Sequence, residues 1–317
     1  MKRYLLSALV AFALSLIFCV LLIPILKRLK AGQNILVYVK EHKKKSGTPT
    51  MGGLAFVFAA TIACAIFVKK ADKTFVITLA ISLSFMAVGF LDDFLKRKHH
   101  ENLGLKAWQK FAFQSCIAVF AGVYCYRAGL TRLYLPFTHR YLDLRAWIIP
   151  LSIFVFLGAV NAVNLTDGLD ALAGGVSIPF FMTIGVLILL QGGTESLSIV
   201  CFSLVGALIA YLIFNTSPAS VFMGDTGSLA LGGFVSCVGV FSGNALYIAI
   251  VGIAFVFSVI SVMIQVIYYK ATGGKRVFLM SPLHHHFQQK GYAEAKIAYA
   301  YSVITLIVGA VVLLFVV

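Results

Sequence analysis

Ten apolar runs, separated by short polar connections, follow one another along the chain at about residues 4–26, 52–68, 74–91, 107–126, 146–165, 172–193, 196–215, 228–243, 245–269 and 296–317. A helix needs roughly 20 apolar residues to cross the hydrocarbon core, within a range of about 17 to 25. Each run is near or within that range, so the pattern predicts an all-α integral membrane protein of about ten transmembrane helices. The eighth run is short and the ninth long, which predicts local thinning and tilt. No clean internal repeat and no long linker interrupts the series, so residues 1–317 read as a single polytopic domain. Composition points the same way: the chain is 61% apolar and 12% charged, with a mean hydropathy of +0.97. No soluble domain of this size has interior enough for that much apolar surface.

Charge then gives the series a direction. An even number of spans places both termini on one side, and the connections alternate between two sets. Residues 27–50, 92–110, 166–171, 216–227 and 270–296 carry 17 Lys and Arg, against nine in the other set, N-terminus included. The positive-inside bias puts the first set in the cytoplasm and both termini outside, with Arg127, Arg132, Arg140 and Arg145 arguing the other way. The basic excess is read as topology signal and contact with anionic lipid; no nucleic-acid partner is expected. Met1-Lys2-Arg3 and the run after it lack a small-residue cleavage site, so a retained first span is expected in place of a cleaved signal. The six cysteines lie inside spans without CxxC spacing and read as small packing residues.

The acids are few, and eight of the eleven fall in the cytoplasmic set. Asn164, Asp167 and Asp170 stand three residues apart directly after the fifth run; on a helix that spacing would line one face. As turn and cap residues they would be unremarked, but capping explains one Asp and not the gathering of acids on one side. Asp92-Asp93 closes the third run, where adjacent carboxylates repel each other unless they hold a cation or share protons. A third glycine-containing acidic loop, Met223-Gly224-Asp225-Thr226-Gly227-Ser228, follows Asn215 and Phe222, whose ring is available to stack on a flat group.

Two further connections supply groups for phosphate. Lys43-Lys44-Lys45 precedes Gly47-Thr48-Pro49-Thr50-Met51-Gly52-Gly53, and glycines, threonine hydroxyls and an ammonium are the parts of a phosphate-binding turn. Pro282-Leu283-His284-His285-His286-Phe287 places three histidines in succession on an expected irregular segment. A transition metal is one reading; donation to phosphate oxygens beside a hard cation suits the acidic surroundings better. His99-His100 is read as interfacial. Five carboxylates, lysines, histidines and glycine turns at one membrane surface make an inventory for Mg²⁺-dependent phosphoryl transfer.

These motifs, in this order from the second run to the tenth, resemble those of the bacterial phospho-N-acetylmuramoyl-pentapeptide transferase (MraY) family, and the aspartate motifs resemble the wider superfamily of polyprenyl-phosphate N-acetylhexosamine-1-phosphate transferases. One departure is Gln288, where Glu is expected. The resemblance implies a multi-pass enzyme of the bacterial inner membrane. It would move phospho-MurNAc-pentapeptide from UDP-MurNAc-pentapeptide to undecaprenyl phosphate, giving lipid I and UMP with Mg²⁺ as cofactor. It implies Asp225 as metal ligand, Asp92, Asp93 and His284 as catalytic residues, and Lys45, Thr50, Asn164, Asp167, Asp170, Asn215, Phe222, His285 and His286 as substrate-binding residues. Assembly as a homodimer is left open. The alternatives are a UDP-GlcNAc transferase acting on the same lipid and a secondary transporter. Transporters place charges near the bilayer midplane, whereas the acids here sit at the ends of the runs.

Overall fold

The structure, a computed structural model, describes residues 1–29, 47–69, 72–98, 104–138 and 140–316. Lys45, its neighbours Lys43 and Lys44, and His99-His100 lie outside the described residues. All ten apolar runs form helices: α1 (Lys2–Arg28), α2 (Gly53–Phe67), α3 (Lys73–Lys98), α4 (Ala107–Arg127), α5 (Ile148–Thr166), α6 (Leu172–Leu190), α7 (Glu195–Asn215) and α8 (Gly224–Phe241), then α9 (Ala245–Val251), α10 (Ile253–Ala271), α11 (Leu283–Gln289) and α12 (Glu294–Leu314). Eight of these are long and apolar enough to cross a membrane, and α2 is a shorter apolar helix. The chain is a multi-pass membrane protein.

Three expectations are corrected and one small element is added. The ninth run is not one long tilted helix but two, interrupted at Gly252, where an added Cβ would strike the carbonyl of Ile248. The segment between α4 and α5 carries a small antiparallel hairpin, β1 (Arg132–Tyr134) with β2 (Tyr141–Asp143), in which Leu133 faces Leu142. The Arg132 guanidinium lies 4.8 Å from the Tyr141 ring centroid, so one of the arginines that opposed the charge count serves this hairpin. The histidine segment is no irregular loop but the two-turn helix α11. Gly224-Asp225-Thr226-Gly227-Ser228 is no loop either: it is the first turn of α8.

Helix α8 is the axis of the bundle, buried at every residue from Thr226 to Phe241. Lipid tails are as apolar as Leu, so helices in a membrane gain by close van der Waals approach, which small residues allow. Gly232 and Gly233 are two points of close approach: added Cβ atoms there would lie 2.5 Å from Val160 Cα of α5 and 3.2 Å from Ser82 Cα of α3, and a Cβ on Gly89 of α3 would strike the carbonyl of Asp225. Both neighbours are thereby drawn tightly along α8, and their C-terminal ends arrive together at its N-terminus. At the opposite end of the bundle Arg3 pairs with Glu195 and Ser196 with Asp72.

Candidate active site

Helix direction alone assembles the polar residues. The C-terminal turns of α3 and α5 and the N-terminal turns of α4 and α8 meet at one end of the bundle. Asp92, Asp93 and Asp225 each offer a carboxylate oxygen within 4.8 Å of the others. Asp225, in the first turn of α8 where the helix dipole favours negative charge, is the hub. Its Oδ2 accepts from Lys110 Nζ at 2.8 Å and Lys96 Nζ at 3.0 Å, and its Oδ1 accepts from Asn164 Nδ2 at 2.8 Å. Lys96 also meets Asp92 Oδ2 at 2.6 Å, and Asp92 Oδ1 accepts the Leu105 N–H at 2.7 Å.

The two adjacent aspartates do different work. Asp93 is buried and caps α8 from α3: it accepts the Thr226 N–H at 2.9 Å, the Thr226 hydroxyl at 2.6 Å and the Asp225 N–H at 3.2 Å. Those backbone donors have no partner within their own helix. Asp92 is turned to Lys96 and Asp225 instead.

Asn164, Asp167 and Asp170 do not share a helix face. Helix α5 ends at Thr166, and the chain turns through Asp167 to Ala171, whose φ is +64°. Only Asn164 reaches Asp225, bridging it to Ser228 Oγ at 2.8 Å. The Asp167 carboxylate has no hydrogen bond among the described residues, and burial, then the nearby Asp225, Asp93 and Asp170, push its pKa well above the usual range. Asp170 is buried and accepts the Ala219 N–H at 3.2 Å. Asn215 is committed as a clamp, accepting the Ala171 N–H at 3.0 Å and donating to the Val221 carbonyl at 2.9 Å.

The glycine turn before α2 is stitched to the strand of residues before α8. Phe222 N–H donates to Pro49 O at 2.8 Å, and Gly52 and Gly53 N–H donate to Phe222 O and Met223 O. These amides are used within the fold, so the phosphate-cradle expectation for them is corrected. What the turn contributes is placement: Thr50 Oγ1 lies against Gly224, whose φ of +71° and missing side chain let Thr50 and Asp93 close over it. The Phe222 ring is half-buried at the same end.

Helix α11 brings His284 and His285 against Gly168, where any Cβ would meet both rings. His284 is fully buried, neither ring nitrogen has a partner among the described residues, and burial, then His285, lowers its pKa to about 3. The folded protein therefore holds this ring neutral, whereas the unfolded chain protonates it below about 6.5. Stability should fall as pH drops from that value toward the folded one. Thermal unfolding in detergent at pH 7.5 and pH 5 should show a larger loss for the wild type than for His284→Gln. His286 turns away, its Nδ1 accepting the Leu279 N–H at 3.1 Å.

Lys96 and Lys110 were counted only as topology charges in the sequence. Asp92 and Lys96 are spaced i, i+4 and were findable as a pair; Lys110 carried a signal too, as a charge entering an otherwise apolar helix. The donor set around Asp225 is oxygen only, and Asp167 adds an unpartnered carboxyl beside it, which suits a hard divalent cation over zinc.

Carboxylates and ammonium groups gathered at the ends of membrane helices define a membrane-integral transferase class: the family model for glycosyl transferase family 4 matches residues 74–243. Signature 1 of phospho-N-acetylmuramoyl-pentapeptide-transferase matches residues 45–57. Proteins of that name are similar along almost the whole chain. The one from Clostridium perfringens (strain SM101) is 42% identical over 306 residues, covering 96% of this chain and 94% of its own. That from Listeria innocua is 43% identical over 311 residues, with the same shares, and that from Clostridium botulinum 41% over 302, with 95% and 93%. The chain belongs to the phospho-N-acetylmuramoyl-pentapeptide-transferase family.

Proposed function

We propose that this protein transfers phospho-MurNAc-pentapeptide from UDP-MurNAc-pentapeptide to undecaprenyl phosphate, releasing UMP and forming lipid I, at the cytoplasmic face of the bacterial inner membrane with both termini outside. The observation that carries the reading is the convergence of Asp92, Lys96, Lys110 and Asn164 on Asp225. The match to the phospho-N-acetylmuramoyl-pentapeptide-transferase signature and to relatives of that name favours this donor over UDP-GlcNAc, and the position of the acids at helix ends disfavours a transporter.

The Asp225 and Asp92 carboxylates would hold Mg²⁺, which when bound neutralises diphosphate charge. Lys96 and Lys110 present ammonium groups to the same phosphates, and Asn164 holds Asp225 in place. Asp93 acts at one remove, by fixing the turn that carries Asp225. A phosphate monoester has a second pKa near ~6, so the lipid phosphate is largely dianionic and Asp92 need only orient it or accept its residual proton. A lipid phosphate oxygen then bonds to the β-phosphorus of the donor while the bond from that phosphorus to the bridging oxygen breaks. The electron pair leaves with UMP. Asp167, Asp170, Thr50, His284, His285 and Phe222 line the donor side. Lys45 is proposed as a further phosphate contact from sequence alone.

Purified protein given UDP-MurNAc-pentapeptide without lipid acceptor should release no burst of UMP, and adding undecaprenyl phosphate should start turnover. Chelation should stop it and Mg²⁺ restore it. A stoichiometric UMP burst without acceptor, lost in Asp92→Asn, would replace single displacement by a covalent phospho-enzyme. Activity that survived Mg²⁺ removal but not zinc removal would move the metal to the histidines.

A further inference from the structure

We propose that Glu294 and Gln288 form a relay that holds His285 in its Nδ1–H tautomer, which makes Gln288 a positioning residue for the transfer. The inference deepens the transferase reading of this site and rests on it. The relay is a continuous line of hydrogen bonds. Asp170 N–H donates to Glu294 Oε2 at 3.2 Å, Gln288 Nε2 donates to Glu294 Oε1 at 3.1 Å, and Gln288 Oε1 lies 2.9 Å from His285 Nδ1.

Direction follows from what each group can do. An ionised carboxylate only accepts, so the Gln288 amide must turn its NH₂ toward Glu294. Its carbonyl oxygen is then the atom that faces His285, and a carbonyl also only accepts. The proton on His285 must sit on Nδ1, and Nε2 carries the lone pair. Gln288 is 3% exposed, so bulk water is poorly placed to substitute for either bond. Position 288 is where the chain departs from the resemblance, and the amide matters: it donates to one partner while accepting from the other, which a carboxylate cannot do.

The neighbouring histidines show that this assignment is particular to His285. His286 accepts a backbone N–H at Nδ1, which leaves its proton on Nε2, the opposite tautomer. His284 is buried with neither nitrogen partnered among the described residues. His284 and His285 both turn Nε2 to Gly168, His285 standing 2.9 Å from where a Cβ would lie, but of the two only His285 has its Nδ1 held by a hydrogen-bond partner among the described residues. Protonation at Nε2 leaves the Nδ1–H bond to Gln288 intact, so the ring keeps its place whether it accepts a proton or, once charged, donates to a phosphate oxygen. Hydrogen-bond partners of this kind fix both tautomer and orientation.

Two measurements test the relay on the purified full-length enzyme. In ¹⁵N-histidine NMR of the wild type, His285 should have its proton on Nδ1; a proton on Nε2 would overturn the proposal. Gln288→Met should mix the two tautomers and lower kcat about 10–100-fold, with the donor KM little changed. Gln288→Glu should also be impaired, because it sets two carboxylates face to face. The exchange variant Gln288→Glu/Glu294→Gln keeps each hydrogen bond and the net charge, and should recover most of the loss. Failure of that exchange to recover activity in a folded protein, or wild-type kcat in Gln288→Met, would refute the relay. A wild-type enzyme that did not use UDP-MurNAc-pentapeptide would instead refute the function, while the NMR tautomer would still decide the relay.

Discussion

Asp225→Asn is expected to reduce transfer by at least about 10³-fold while leaving the helical bundle assembled. Metal neutralisation of developing charge contributes several kcal/mol, and each 1.36 kcal/mol is tenfold in rate. The amide keeps the shape of the side chain and can still accept from Lys110 and Lys96, but it lacks the charge that holds a hard cation. Turnover close to wild type at ordinary Mg²⁺, in protein with an unchanged gel-filtration profile, would remove Asp225 from the metal site.

Asp92→Asn and Asp93→Asn are expected to fail in different ways, although the residues are adjacent. Asp93 satisfies three donors at the head of α8 in a buried position. Hydrogen bonds to charged groups are worth about 1.5–3 kcal/mol each, and an amide that keeps one oxygen loses part of that set. Asp93→Asn should therefore lower the unfolding temperature together with activity, by several degrees for a destabilisation of about 2 kcal/mol. Asp92→Asn should lower activity by about 10² or more with a smaller change in unfolding temperature, since Asp92 accepts from one backbone N–H and from the half-buried Lys96, where Asp93 satisfies three donors at the head of a helix. Thermal unfolding in detergent, measured beside initial rates, separates the two. Equal losses of stability would show that Asp93 has no special capping role.

The sequence made the helices legible because burial in lipid demands long apolar runs, and all ten became helices. It hid the break at Gly252, because an apolar run looks the same whether it forms one helix or two. It also hid the hairpin at Arg132–Asp143, whose strands are only three residues long. The acids were readable as a group, since charges are rare in such a chain, but their division of labour was not. Asp92 and Asp93 differ by one position, and rotation about α3 sends one to Lys96 and the other to the head of α8. The Gly52-Gly53 amides carried the right chemistry for a ligand and donate within the fold instead, and the hydrogen bonds of Asn215 to Ala171 and Val221 were likewise invisible in the sequence. Lys96 with Asp92 and Gln288 with His285 stand at helical spacings, but the links of Lys96 and Lys110 to Asp225 and of Gln288 to Glu294 needed three dimensions, because those partners come from other helices.

Helix α8 is shielded along nearly its whole length, whereas α1 and α10 present most of their surface outward. A bilayer that thins, thickens or stiffens acts first on helices in contact with its chains. The carboxylate triad hangs from the most sheltered helix and from the end of α3, which is packed tightly against it, so its internal spacing is insulated from the elastic state of the membrane. Changes in lipid composition should reach this chemistry by altering access of the lipid substrate rather than by deforming the site.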